Sequence, residues 1–270
     1  MKIRQFLLVI QWILNTQYGL DPIRFLKGVA RTPGFIRDYF SFRKQYSGTM
    51  TIRPCLHDAS EQGGSAHGEY FWQDILVAKM IYNNNPDRHV DVGSRFDGFV
   101  AHVASFRELE VLDIRPIAAK VPGVRFSRAD LMNMPDNYRE YCDSISCLHA
   151  IEHFGLGRYG DPINPSGYQS GIRNLTSMLV SGGTLYLSTP VGRERVDFNS
   201  SWIFSTSTIL QEASANGLAL QKAVVIHPNG NHVLHEGTSI DLTPLDAEEY
   251  NLCVFIFVKR RNEPNISLIN

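Results

Sequence analysis

The segment His149-Ala150-Ile151-Glu152-His153 puts two imidazoles and a carboxylate within one short stretch, directly after the apolar run "SISCL". Three uses fit such a set. An imidazole titrates closest to neutral pH and can take the proton of an acceptor hydroxyl. The three side chains together can ligate a divalent cation, Mg²⁺ or Mn²⁺, that activates the same hydroxyl. Alternatively, Glu152 and His153 cap the following helix and orient its loop. The spelling HxxEH also marks inverted zinc-protease helices, but a strand running into His149 takes that residue off the helix such a site needs.

A second set begins at "HVDVGSRFDGF", His89 to Phe99, where an apolar run meets Asp91, Gly93, Ser94, Arg95, Asp97 and Gly98. Glycines at the end of a buried strand let the backbone turn sharply and approach a ligand with no side chain between them. About 20 residues further on, "EVLDI" ends in Asp113 and Ile114, and an acid at that spacing accepts both ribose hydroxyls of a nucleoside. An ordinary turn aspartate is the plainer reading. In "RADLMNMP", Asp130 can receive the amino group of an adenine while Leu131 packs on its ring, or Asp130 can cap a short helix. With Leu148 at the end of the fourth strand, these residues form the expected cofactor-contacting set.

The elements that must position them follow from the patterning. Strand-like runs are "HVDVG", "ELEVLDI", "VRFSRAD", "CDSISCLHA", "GGTLYLSTP", "LQKAVVIHP" and "NLCVFIFVKR", with helical patterns near 97–106, 134–140, 168–180 and 206–216. Such alternation predicts an α/β fold, a mostly parallel sheet covered by helices on both faces, with ligands beyond the carboxyl ends of the strands. The last two runs have no helix between them and are expected to pair antiparallel at one edge. Upstream, "EYFWQDILVAKMIYNN" carries apolar residues at helical spacing. Between 20 and 46 the breaks at Pro22 and Thr32-Pro33-Gly34 predict two or three short helices. The expected organisation is a basic helical segment over 1–50, a loop and helix over 51–85 that leads into the core and could serve as a substrate lid, the core over 86–262, and a tail over 263–270.

Composition excludes several classes. With 270 residues, 43% hydrophobic and 20% charged, the chain is an ordinary globular protein rather than a disordered one. Its four cysteines have no zinc-finger spacing and fit a reducing cytoplasm. The net charge of −1 conceals an asymmetry, since residues 1–50 hold eight Lys/Arg against two Asp, or +6, leaving −7 for the rest. Nucleic acid is therefore not an expected partner of the core. The basic segment fits peripheral contact with an anionic membrane at its cytoplasmic face, an acidic partner, a second copy of the chain, or docking on the core. "FLLVIQWIL" is interrupted by Gln11, is too short to span a bilayer, and precedes no small-x-small cleavage site.

Taken together, "VDVGSRFDG", "VLDI", "LHAIEHF" and "SGGTLYLSTP" resemble the successive strand-end motifs of class I S-adenosylmethionine-dependent methyltransferases, across roughly residues 83–261. The resemblance implies a Rossmann-like seven-stranded sheet with one antiparallel edge strand, S-adenosylmethionine as cofactor, and a small-molecule or glycan acceptor. Arg95 departs from the family's usual GxGxG. A dinucleotide dehydrogenase would instead need the pyrophosphate-admitting GxGxxG, which is absent. "GEYFWQDILVAKMI" and "HFGLGRYGDPINPSGY" resemble a bacterial methyltransferase-like subfamily associated with surface-polysaccharide gene clusters, which implies O-methylation of a sugar hydroxyl in O-antigen or capsule synthesis. "HAIEH" resembles the metal-assisting ExxEH of ubiquinone-pathway and small-RNA 2′-O-methyltransferases, with His149 in place of the first glutamate. In the insertion "GLGRYGDPINPSGY", Arg158, Tyr159 and Asp161 are the expected acceptor contacts, unless the loop packs on itself. Arg193, Glu194 and Arg195 fit an anionic acceptor or a solvated charge run. His227, His232 and His235 fit a metal site or a polar loop. The alternatives to O-methylation of a glycan are a methyltransferase of small metabolites and a scaffold that keeps the fold without catalysis.

Overall fold

The computed structural model describes residues 3–58, 66, 68–237 and 239–261, so the 263–270 tail lies outside the described residues. Contacts divide the chain into two units, Met1–Ser65 and Ala66–Asn270. In the first, α1 (Ile3–Tyr18) ends at Gly19 in the left-handed region, and α2 (Pro22–Arg43) begins at Asp21, whose carboxylate caps the Arg24 amide at 2.9 Å. The expected break at Thr32-Pro33-Gly34 does not occur, because α2 runs straight through Pro33. A proline deletes a single intrahelical donor. One turn back, the Thr32 hydroxyl donates to the Gly28 carbonyl at 2.9 Å.

The second unit opens with α3 (Glu69–Asn84), then β1 (His89–Val92), a tight turn over Phe96–Val100 continuing into α4 (Ala101–Ala104), β2 (Leu109–Asp113), β3 (Val124–Arg128) and β4 (Cys142–Leu148). There follow α5 (Gly167–Met178), β5 (Leu179–Val191), a ribbon of β6 (Arg195–Asp197) and β7 (Ser201–Ile203), α6 (Thr206–Ala215), β8 (Leu218–Ile226), β9 (His232–Glu236) and β10 (Asn251–Lys259). The sheet order is β3-β2-β1-β4-β5-β10-β8-β9. Strands β1 to β5 are mutually parallel, and β10 runs antiparallel to both neighbours. All seven expected strands form, and β9, read from the sequence as loop, adds an eighth along the β8 edge. The helical pattern near 134–140 condenses to a single turn at Asp136–Tyr138. Helices cover both faces. Ile172 and Leu175 of α5 belong to one buried cluster, and Val77 and Ile81 of α3 with Val103 of α4 belong to the other.

Strand order reverses between β1 and β4, which places the crevice above their carboxyl ends. A buried polar chain fixes that point. The Ser146 hydroxyl on β4 donates to Asp91 Oδ1 at 2.6 Å, while the Ser94 hydroxyl and amide reach the same carboxyl at 2.7 and 3.1 Å. Because Ser146 donates to Asp91, it accepts from His89 Nε2 at 3.1 Å, which leaves His89 Nδ1 to accept the Ser144 hydroxyl at 2.8 Å. Burial pushes Asp91 up to about 7 and holds His89 down to about 3, so the imidazole is neutral. Replacing Ser146 by Ala leaves a buried N–H and a buried carboxyl each short of a partner. We expect a loss of about 1–3 kcal/mol, read as a lower denaturant midpoint at unchanged slope.

Candidate active site

Above the ends of β1 to β4 lies a cleft of about 550 Å³, mouth included. Five of the expected cofactor residues, Gly93, Asp113, Ile114, Asp130 and Leu131, line it together. Gly93 has φ +73°, and a Cβ there would sit 2.9 Å from the Ala150 methyl, so neither its backbone nor its surroundings admit a side chain. The remaining wall includes Val92, Leu112, Met132, Met134 and Phe154, an apolar slot suited to a flat ring. Asp113 is engaged by its neighbour: Arg115 donates to Oδ1 from its amide (2.8 Å) and Nε (3.0 Å), and to Oδ2 from Nη2 at 2.6 Å. Asp130 caps the Met132 amide at 2.9 Å and also lines the cleft.

Other expected residues act one step back. Asp91 is fully buried and shapes the turn, without lining the cleft. Gly98 lets α3 approach, because a Cβ there would lie 2.4 Å from Asp74 Oδ2. Arg95 turns to Asp97, with Nη2 2.7 Å from Oδ2, and its guanidinium lies 5.5 Å from the Tyr70 ring.

A second cavity adjoins the first and shares Gly93, Arg115, His153 and Tyr159 with it. Ser94, Leu148, His149 and Arg158 also line it, as do Tyr70, Gln73 and Asp74 of α3. His149 adopts φ +51°, uncommon for a residue with a Cβ, and its amide donates to the Ser188 carbonyl (3.2 Å) and hydroxyl (3.1 Å) at the end of β5. Its Nε2 lies 3.6 Å from Glu69 Oε1, and Tyr250 donates to that carboxylate at 2.7 Å. His149 Nδ1 is buried without a hydrogen-bond partner among the described residues. Burial, reinforced by His153, holds the His149 imidazole down to about 3, so it is neutral at pH 7. Glu152 is buried against the Thr189 hydroxyl side of β5 and is pushed up to about 8, first by burial and then by Glu69.

His153 Nδ1 is 2.8 Å from the Ser200 carbonyl, which can only accept, so Nδ1 carries the proton and Nε2 the lone pair. Burial and then Arg158 hold this ring down to about 4. The divalent-cation expectation for His149, Glu152 and His153 is corrected here. The two imidazoles face different carboxylates, His153 Nε2 lying 3.7 Å from Glu152 Oε1 and His149 Nε2 facing Glu69. Among the described residues no three His, Cys, Asp or Glu side chains gather as ligands for a metal ion.

The insertion after β4 is organised by Asp161, which accepts the amides of Gly155, Gly157 and Tyr159 at 3.0, 3.2 and 3.1 Å. It presents Arg158 and Tyr159 to the second cavity. Arg193 lies outside both cavities, exposed, with its amide on the Glu248 carbonyl at 2.8 Å. Glu194 accepts from Ser205 and Thr208 at the start of α6. Arg195 bonds the Glu249 carbonyl at 3.0 Å. His232 and His235 sit on β9, and His227 pairs with Asn251 at 2.7 Å. Among the described residues none of the three joins a metal-ligating group.

Residues missed from the sequence are Glu69, Gln73, Asp74, Arg115 and Tyr250. Gln73 and Asp74 carry a readable signal, being polar side chains on the buried face of an apolar helix. The Gln73 amide donates to Asp74, and its carbonyl accepts from Ser188.

The family described as "Caenorhabditis protein of unknown function, DUF268" matches residues 115–210, just over a third of the chain. No curated protein matches. Among solved structures, the [4+2]-cyclase SpnF aligns over 70% of this chain and 81% of its own at 12% identity and a TM-score of 0.50. A candidate sarcosine dimethylglycine methyltransferase from Galdieria sulphuraria aligns over 70% and 85% at 10% identity, also with a TM-score of 0.50. The fold is thus the Rossmann-like fold of class I S-adenosylmethionine-dependent methyltransferases. At these identities the likeness extends to the fold alone.

The buried groups set a pH dependence of stability. Glu152, near 8 when folded against an ordinary 4.5, keeps a proton that the unfolded chain releases, so stability declines as pH rises from 4.5 through about 8. His149 near 3 and His153 near 4, against an ordinary 6.5, stay neutral where unfolded imidazoles are charged, so stability is lost as pH falls below 6.5. Thermal melts should peak near neutral pH. In Glu152→Gln the alkaline decline should become shallower and the acid limb steeper between pH 4.5 and 6.5, where Glu152 opposes the imidazoles.

Proposed function

We propose that this chain is an S-adenosylmethionine-dependent methyltransferase directed to a hydroxyl, with His149 as the base. The observation that carries the reading is the pair of adjoining cavities, one an apolar slot between Asp113 and Asp130, the other walled by neutral imidazoles, meeting at Gly93. When bound, the cofactor supplies a methyl group on a sulfonium, an electrophile with a good leaving group. The protein's part is to align the acceptor and to take its proton as the new O–CH₃ bond forms and the S–CH₃ bond breaks. His149 fits that part better than His153. Its neutral ring lines the acceptor-side cavity, and Glu69 opposite Nε2 favours the imidazolium formed when it takes the proton. For His153, Arg158 beside the ring opposes a positive charge. A sugar hydroxyl as acceptor is supported by the sequence resemblance to the surface-polysaccharide subfamily.

Calorimetry should show S-adenosylhomocysteine binding with Kd in the micromolar range, about −8 kcal/mol. Asp113→Ala should weaken it by roughly ten- to a hundredfold. His149→Ala should lower labelled-methyl transfer to extracted surface glycans and their precursors by about 10²–10⁴-fold with cofactor affinity intact, and chelator should leave turnover unchanged. Absence of cofactor binding in the folded chain would favour the scaffold reading, and label confined to small metabolites would remove the glycan.

For the Met1–Ser65 unit the reading extends to an anionic membrane surface. On α2, Phe25, Val29, Ile36 and Phe40 recur at spacings of four, seven and four residues and are all exposed, an apolar stripe on a segment of +6 charge. Among the described residues no helix is long and apolar enough to cross a membrane, so the contact is peripheral. The full chain should float with anionic vesicles and not with neutral ones, and Phe25→Ser/Phe40→Ser should sediment. Equal flotation of that variant would sink the membrane assignment.

A further inference from the structure

Three guanidinium groups line the second cavity, those of Arg95, Arg115 and Arg158. Two are neutralised within hydrogen-bond distance, Arg95 by Asp97 at 2.7 Å and Arg115 by Asp113 at 2.6 Å. Arg158 differs. Among the described residues it has no carboxylate within ion-pair distance, and its bonds leave from Nη1, to the Ser200 carbonyl at 2.9 Å and to the lone pair of His153 Nε2 at 3.3 Å. The same Ser200 carbonyl takes the His153 Nδ1 proton, so one backbone oxygen between β6 and β7 fixes both side chains. Tyr159 then brings a second cation close, with the Arg115 guanidinium 4.5 Å and the Arg158 guanidinium 5.3 Å from its ring centre. Asp113 already meets the charge of Arg115, so of the two cations at this ring Arg158 is the one with no carboxylate beside it among the described residues. Nη2 and Nε of Arg158 carry the remaining donors of a planar fork, the geometry that suits two oxygens of one oxyanion.

We propose that Arg158 is an oxyanion-recognition residue of the acceptor site, so that the molecule methylated carries a phosphoryl or carboxylate group beside the reacting hydroxyl. The inference rests on the second cavity being the acceptor side of a methyltransferase. It moves anion recognition from Arg193, which the sequence offered, to a residue that lines the cavity. A phosphoryl group fits a nucleotide-linked or lipid-phosphate-linked sugar, and a carboxylate fits a uronic acid.

The test uses the full chain saturated with S-adenosylhomocysteine, so that any anion site belonging to the cofactor's own carboxylate is filled. Inorganic phosphate, methyl phosphate, acetate and glucuronate are titrated by calorimetry or ³¹P and ¹H line broadening. At least one should bind with Kd of roughly 1 mM, and the one preferred, phosphate or carboxylate, identifies the acceptor's group. Arg158→Gln should weaken that binding about ten- to a hundredfold, Arg158→Lys by less because it keeps the charge without the fork, and Arg193→Gln not at all. Retention of S-adenosylhomocysteine affinity in each variant shows that it is folded. Equal anion affinity in Arg158→Gln and the parent, loss in Arg193→Gln instead, or no anion binding by a chain that binds S-adenosylhomocysteine would overturn the proposal. Anion binding that depends on Arg158 in a chain with no affinity for S-adenosylhomocysteine would support the oxyanion site while removing the cofactor reading beneath it.

Discussion

The buried carboxyl of Asp91 is the constraint on which the strand-end architecture hangs. It lies at the switch point of the sheet, fully enclosed, and joins three pieces of backbone: its own strand β1, the glycine turn through Ser94, and β4 through Ser146. A carboxyl in such a place must be satisfied almost completely, because each missing partner leaves a desolvated oxygen. That requirement selects the small hydroxyl residues at 94 and 146, and the chain of bonds continues through Ser146 to His89 and Ser144. Gly93 is left no freedom. Its left-handed backbone follows from the turn that brings the Ser94 amide back to Asp91, and the close Ala150 methyl forbids a side chain. The floor shared by both cavities is therefore set by bonds centred on a carboxyl that lines neither cavity.

Above that floor the electrostatics are arranged by exclusion of water. Burial is the first cause of the shifts at His149, His153 and Glu152, and in each case it favours the neutral form. A neutral imidazole with a partnerless nitrogen is a proton acceptor held away from competing solvent. The same enclosure argues against a hard cation, which needs charged oxygens converging on one point. Here the carboxyl groups of Glu69 and Glu152 face different rings, and burial favours the neutral form of Glu152.

Much of this was legible in the chain. Short apolar runs marked all seven expected strands, and the acid about 20 residues beyond the glycine turn marked Asp113, because both signals are local. What escaped is non-local. Nothing near Glu69 or Tyr250 in the sequence says that they meet each other or His149, since 181 residues separate the two and the sheet alone brings them together. Arg115 was passed over because an arginine two residues after an acid reads as a surface charge, whereas here it closes on Asp113. Arg193 was chosen by its place after a strand end, but the turn of β5 into β6 directs it away from both cavities. The unbroken α2 shows a local signal outweighed, with an internal proline tolerated inside a long helix.

Because SpnF is a cyclase and shares the fold, the fold leaves the reaction open, and side chains at the strand ends have to carry the distinction. In this chain those side chains form one connected wall. Asp113 holds Arg115, Arg115 lies over Tyr159, and Tyr159 meets both Arg158 and the edge of His153 at 5.6 Å. A diol that recruits the Asp113 carboxylate competes with Arg115 for its oxygens, and Arg115 cannot shift without altering its contact with Tyr159. The two cavities are consequently joined through a single aromatic ring, and on the proposed reading the ring stands between the nucleoside and the acceptor.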